Sequence, residues 1–136
     1  LPAILEPIRL TKKNNMEETI FDAQGNAIAY IDYNDENTIY TWDGTPSAYL
    51  DEENQIYGFN GKHLGWFEDG IVWNLYGERT GYNKQTIPVF AKFEPFKAFK
   101  KFKPFKSFKE FAKNKPFKKT TKSNISLQQF LIGGQK

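Results

Sequence analysis

Ile56-Tyr57-Gly58-Phe59-Asn60-Gly61-Lys62-His63-Leu64-Gly65-Trp66 runs from an aliphatic–aromatic pair, through a turn signal, to a small residue followed by another aromatic. The same order recurs three more times. Ile20-Phe21 leads through Gly25 to Ala29-Tyr30, Ile39-Tyr40 through Gly44 to Ala48-Tyr49, and Val72-Trp73 through Gly77 to Gly81-Tyr82. Successive copies are offset by 19, 17 and 16 residues. A unit this short cannot bury its own apolar face, so the copies must pack on one another.

The unit reads as a β-hairpin. Asp43-Gly44 and Asn60-Gly61 suit a two-residue type I′ turn, whose central positions both need positive φ, and β-branched and aromatic residues flank them. Gly25, Gly44, Gly61 and Gly77 are therefore structural turn glycines. Pairing outward from such a turn places Ile20 opposite Ala29 and Phe21 opposite Ile28, with Tyr30 diagonal to Phe21. The same count groups Tyr40, Trp42 and Tyr49 within one hairpin, then Tyr57, Phe59 and Trp66, then Trp73, Leu75 and Tyr82. Each hairpin should carry one aromatic face, and one face where an aliphatic residue meets Ala or Gly. Small residues at one recurrent position suit close approach of backbones around a common axis.

At these residues the sequence resembles the four-fold β-flower proteins, in which four hairpin petals surround a pseudo-four-fold axis. The resemblance implies that fold and no assigned activity. A weaker likeness, to tyrosine-aspartate repeats, rests on Phe21-Asp22-x-x-Gly25-Asn26. The other copies depart from it, with Thr41, Gly58 and Asn74 in place of Asp22.

From residue 90 to residue 117 Phe takes every third position except Asn114, and Pro95, Pro104 and Pro116 each precede a Phe. A helix would wind a strict period of three around its whole surface, and the internal prolines oppose it. Three residues per turn suits polyproline II or short 3₁₀ pieces, with Phe on one edge and Lys on another. The expectation is that this tail wraps the petals, its Phe edge covering their aromatic faces while the lysines stay solvated. Between Lys92 and Lys122 there are twelve lysines against Glu94 and Glu110. Such density also suits an anionic partner, either nucleic acid or a membrane surface. Lys97, Lys100, Lys101, Lys103, Lys106 and Lys109 are the candidate anion-binding residues. Residues 125–132 could form a turn or two of amphipathic helix ended by Gly133-Gly134.

Composition bounds the rest. A length of 136 residues gives one modest core, and the aromatic share of 17% means that rings must supply much of it. The chain has no cysteine, which removes disulfides and thiolate metal sites. Residues 1–15 lack the features of a signal peptide, and no apolar run reaches the length of a bilayer span. They are expected to be an appended segment or an N-terminal arm, and the protein to be cytoplasmic. His63 is the single histidine and is expected at the surface. Asp32-x-Asn34-x-Glu36-Asn37 resembles a calcium loop only faintly and reads as an inter-hairpin turn. Arg79 could meet an anion, with a plain surface role the more ordinary reading. No nucleophile elbow, phosphate loop or paired-histidine motif is present.

These readings give an all-β protein of four hairpins around a pseudo-four-fold axis (residues 16–85), followed by a Phe/Lys tail (residues 86–136). The repeat aromatics are Phe21, Tyr30, Tyr40, Tyr49, Tyr57, Trp66, Trp73 and Tyr82. The expected role is a non-enzymatic structural or protein-interaction module, without catalytic residues, cofactor, metal or small-molecule substrate. Its partner would be an unidentified protein; the alternative is a polyanion, either nucleic acid or an anionic membrane, bound through the tail.

Overall fold

The computed structural model describes residues 16–136; the expected N-terminal arm lies outside the described residues. Four hairpins follow one another: β1 (Glu17–Phe21) with β2 (Ala27–Asp32), β3 (Thr38–Thr41) with β4 (Pro46–Leu50), β5 (Gln55–Gly58) with β6 (His63–Glu68), and β7 (Ile71–Asn74) with β8 (Arg79–Tyr82). Each strand is antiparallel to its chain neighbours, and β8 returns to β1, so the eight close into a barrel. Closure leaves no sheet edge unpaired.

The repeat positions take up corresponding places. Ile20 pairs with Ala29, Ile39 with Ala48, Ile56 with Gly65 and Val72 with Gly81, all inside the barrel. The turns differ from the type I′ expectation. In each hairpin loop the glycine N–H donates three residues back, Gly25 to the Asp22 carbonyl, Gly44 to Thr41, Gly61 to Gly58 and Gly77 to Asn74. Only the glycine in each of these loops has positive φ, between 78° and 90°. Asp43 and Asn60 thus sit in ordinary turn conformation. The loop is a type I turn closed by a left-handed glycine, and it forces a bulge into each hairpin. The bulge places Phe21 opposite Ala27 rather than Ile28.

Aromatic pairing is corrected for the same reason. The repeat aromatics meet across the seams between hairpins, not within them: Tyr30 opposite Tyr40, Tyr49 opposite Tyr57, Trp66 opposite Trp73, and Tyr82 opposite Phe21. Barrel closure creates these four seams, which pairing within single hairpins cannot reveal. The Tyr30 and Tyr40 rings stack at 5.5 Å, and the Tyr49 and Tyr57 rings at 6.4 Å.

The barrel interior is finished by a short helix, α1 (Leu127–Ile132), capped by the Ser126 hydroxyl and ended at Gly133. Its Leu127 and Leu131 are buried among Ile20, Ile31, Ile39 and Ile56. The recurrent small residue makes room for it: a Cβ on Gly81 would meet Leu127 at 3.0 Å. Beyond the helix, Gly134 accepts from the Asn60 backbone N–H, and Gly133 from the Asn60 side chain at 2.8 Å. The helix therefore stoppers the end of the barrel that carries the four hairpin loops. The void it leaves inside is about 10 Å³, room for roughly one water. The opposite end carries the inter-hairpin turns, including the segment from Asp32 to Asn37.

Candidate interaction surface

From Ala91 to Lys119 the chain carries no helix or strand. It is an extended strap with three edges, as three residues per turn require. An extended strap makes no internal hydrogen bonds, so its N–H groups must find partners elsewhere. One edge finds them on the hairpin loops. The N–H groups of Lys92, Lys101, Glu110 and Lys119 donate to the carbonyls of Gly25, Gly44, Gly61 and Gly77, at 2.8–2.9 Å. Ala98 and Ser107 add bonds to Trp42 and Phe59. The prolines Pro95, Pro104 and Pro116 share this edge at places where no N–H is needed. Nine strap residues therefore serve each hairpin of 16–19 residues, and the strap passes all four loops in order.

The second edge carries the residue after each Phe and turns inward, onto the aromatic seams. The Lys97 ammonium lies 4.6 Å from the Tyr30 ring centre, Lys100 4.9 Å from Tyr40, Lys106 4.2 Å from Tyr49, Lys109 4.5 Å from Tyr57 and Lys118 5.5 Å from Trp73. Their ends reach acids of the barrel. Lys97 pairs with Glu17 at 2.5 Å, Lys100 with Asp32, Lys103 with Asp35 at 2.6 Å and Glu36 at 2.8 Å, and Lys109 with Asp51 at 3.3 Å. Lys115 and Lys118 both meet Glu68, and Lys118 also meets Asp69. At the β8–β1 seam the nine-residue count brings Pro88 and Ala91 to the lysine places. Ile87 there packs on the cluster of Trp66, Ile71, Trp73 and Tyr82.

The electrostatics follow from this facing. Burial works to raise the Asp35 and Glu68 carboxyls, but their lysine partners (with Tyr40 at Asp35) outweigh it and hold both below the usual range. Lys118 likewise holds Asp69 low. Burial, with Glu17, Asp32 and Asp35 nearby, pushes the Tyr30 phenol up to about 12. Among the six candidate anion-binding lysines, five pair with carboxylates of the barrel, Lys101 with Asp43 at 3.8 Å. Lys106 is held by its ring contact.

The third edge is the phenylalanine edge, and it points into solvent. Phe90, Phe93, Phe96, Phe99, Phe102, Phe105, Phe108, Phe111 and Phe117 are between 89% and 102% exposed. This reverses the expectation that Phe covers the petals while Lys is solvated. The physical reason is the acids at the far end of three of the four seams. Asp32 is buried and Glu68 and Asp51 are mostly covered. A Phe laid over the seam would leave them without a cation, a costly arrangement. A lysine covers the ring with its stem and reaches the acid with its head. Asn114, itself exposed, can stand in the Phe series because the side chains of that edge point into solvent.

His63 is not at the surface. It is buried at the strap contact, its ring 5.0 Å from Tyr57 and perpendicular to Trp66 at 4.8 Å. Its Nδ1 accepts from the Lys113 backbone N–H at 2.9 Å, and the His63 backbone N–H donates to the Glu110 carboxylate at 2.7 Å. Nε2 has no polar partner among the described residues. Burial holds the imidazole below its ordinary value. Arg79, the corresponding residue of the fourth hairpin, lies over Trp73 and donates to the Lys119 carbonyl. Both residues fasten the strap.

Among the described residues no group of His, Asp and Glu could hold a metal, and no helix is long and apolar enough to cross a membrane. A family model described as "4-fold beta flower protein" matches residues 18–131, which takes in the hairpins, the strap and the helix stopper. No curated protein and no solved structure matches the chain.

Proposed function

The chain belongs to the 4-fold beta flower family, and we propose that it works as a non-catalytic interaction module whose working surface is the ring of phenylalanines. One observation carries this reading. Nine Phe side chains are held almost fully exposed on a strap that is itself fixed by six backbone hydrogen bonds to the loops. Soluble monomers rarely display apolar patches of more than a few hundred Å², and larger ones mark contact sites. Lys97, Lys100, Lys103, Lys109, Lys115 and Lys118 do not compete for this role, because their charge is directed inward onto the barrel's acids.

The test is retention of the full-length protein on octyl-agarose at low salt. Wild type should be retained. The triple variant Phe99→Ser/Phe102→Ser/Phe105→Ser should elute early with an unchanged melting midpoint. A wild type that flows through, or a variant held as strongly, would overturn the reading.

A further inference from the structure

The exposed apolar surface and the charge of this barrel are segregated along its axis. The strap is bonded to the four hairpin loops, so the Phe ring lies at the loop end. The other large exposed hydrophobics belong there as well: Tyr76 is in the fourth hairpin loop, Val89 in the approach to the strap, Ile125 just before the helix stopper and Ile132 at its last position. Lys62 is in the third loop, Lys92 and Lys119 are on the strap, and Lys122 follows it, bridged to Arg79. Among the described residues none of the four has a carboxylate within ion-pair distance. The acids near them are engaged: Asp22 by its own loop N–H groups, Asp43 by Lys101, Glu78 by Asn74. The opposite end carries Asp35, Glu36, Asp51, Glu52, Glu53, Glu68 and Asp69 in or beside its turns. Five of them pair with strap lysines, while Glu52 and Glu53 have no cation within ion-pair distance among the described residues.

The ring's shape limits what can cover it. Successive Phe residues stand about 9 Å apart along an extended strap, and they point outward all round a closed barrel. A rigid protein partner would have to form a collar to touch them together. A fluid layer meets them all at once if the barrel axis stands along its normal. A second copy stacked loop end to loop end would bring like-charged lysines together.

Resting on the interaction reading above, we propose that the partner is an anionic lipid surface. The loop end faces the membrane, with the Phe ring at the headgroup–acyl boundary and the acidic turns directed away. The free lysines supply the attraction to anionic headgroups, and the ring supplies the apolar anchoring. The acidic end fixes the orientation, since it would be repelled by the same surface.

The experiment is co-sedimentation of the full-length protein with vesicles of pure phosphatidylcholine, and of phosphatidylcholine with 30% phosphatidylserine (a choice of roughly physiological anionic content). The protein should partition onto the anionic vesicles, less as salt rises, and weakly onto the neutral ones. Phe99→Ser/Phe102→Ser/Phe105→Ser should lower the partition by at least about tenfold, and Lys92→Gln and Lys119→Gln by about fivefold each. Retention on octyl-agarose without vesicle binding would overturn the lipid assignment and leave the interaction reading standing; failure on both would remove both. Equal binding to the two vesicle types would also overturn it. So would salt-dependent binding of a single-stranded polynucleotide that competes with the vesicles and ignores the Phe substitutions. A concentration-dependent doubling of mass that blocks sedimentation would give the ring to a second copy instead.

Discussion

Gly44 and Phe99 are in a contact that no other residue at position 44 could keep. Gly44 sits at φ 89°, and a Cβ built there would run into the Phe99 carbonyl, at the point where the strap crosses the second hairpin loop. The same relation joins Gly25 to Phe90, Gly61 to Phe108 and Gly77 to Phe117, nine strap residues apart each time. One glycine therefore serves both the turn and the strap. Gly44→Ala should cost about 1–3 kcal/mol, combining left-handed strain with displacement of the strap. Chemical denaturation with limited proteolysis reads both: a lower midpoint and faster cleavage near Phe99. Gly133→Ala, at an ordinary φ of −59°, is the control and should stay within about 0.5 kcal/mol.

The inversion of the strap's edges predicts an inversion of mutational cost. Lys109 covers the Tyr57 ring and pairs with the mostly covered Asp51, whereas Phe108, one residue earlier, touches almost nothing. Lys109→Ala should lose about 1–2 kcal/mol, through the ring contact and the abandoned carboxylate. Phe108→Ala should lie within about 0.5 kcal/mol of wild type. Equal losses in urea unfolding would mean that the Phe edge packs after all.

His63 makes stability depend on pH in a defined window. Its folded value lies below the ordinary 6.5 because burial disfavours the charged ring; Glu110 and Asp51 oppose that effect and Lys113 adds to it. A depressed histidine contributes its stability in full above the unfolded value. That contribution is lost as pH falls below about 6.5. Protonation at Nδ1 also removes the acceptor for the Lys113 N–H. The urea midpoint should therefore be lower at pH 5.5 than at pH 7.5, and His63→Asn should flatten the difference whatever its own stability. Free carboxylates titrate near pH 4, so they contribute little across this interval.

The helix stopper is a structural necessity. Leu131 is 1% exposed inside the barrel mouth. Leu131→Ala should cost about 2–4 kcal/mol, by lost burial and the cavity left behind. Thermal unfolding measures this directly, and a change below about 1 kcal/mol would show that the mouth closes without it.

The barrel was legible because each copy of the repeat states its own hairpin. Glycine, the small residue and the aromatic recur at fixed distances, and their in-register pairs, such as Ile20 with Ala29, follow from counting. Two things escaped that counting. Asp43-Gly44 has the residues of a type I′ turn, yet the glycine alone is left-handed, because the loop includes one residue more than the dipeptide suggests. The seam pairs, such as Tyr30 with Tyr40, come from closure, which joins copies that a single hairpin cannot see. The strap's facing is not legible from its own residues, because a Phe edge and a Lys edge of equal period fit the hydrophobic faces of the petals and the acids of the turns equally well. The acids Asp32, Asp51 and Glu68, one at each of three seams, lie in stretches whose sequence has the character of solvated inter-hairpin turns. The available signal was a second period: Lys100, Lys109 and Lys118 recur every nine residues, one for each hairpin they cross.

The strap also acts as a measuring tape laid against the barrel. Hairpin number is written twice in this chain, once as a unit of 16–19 residues and again as a unit of nine. Duplicating a hairpin alone would leave a loop carbonyl with no strap N–H to meet it and seams with no cations. Inserting a single Phe triplet would keep every side chain on its proper edge, yet carry each downstream N–H a third of a hairpin past its acceptor. Growth or loss of petals in such a molecule therefore requires two coordinated changes at distant places in the gene, whereas the Phe edge can change residue by residue without disturbing either count.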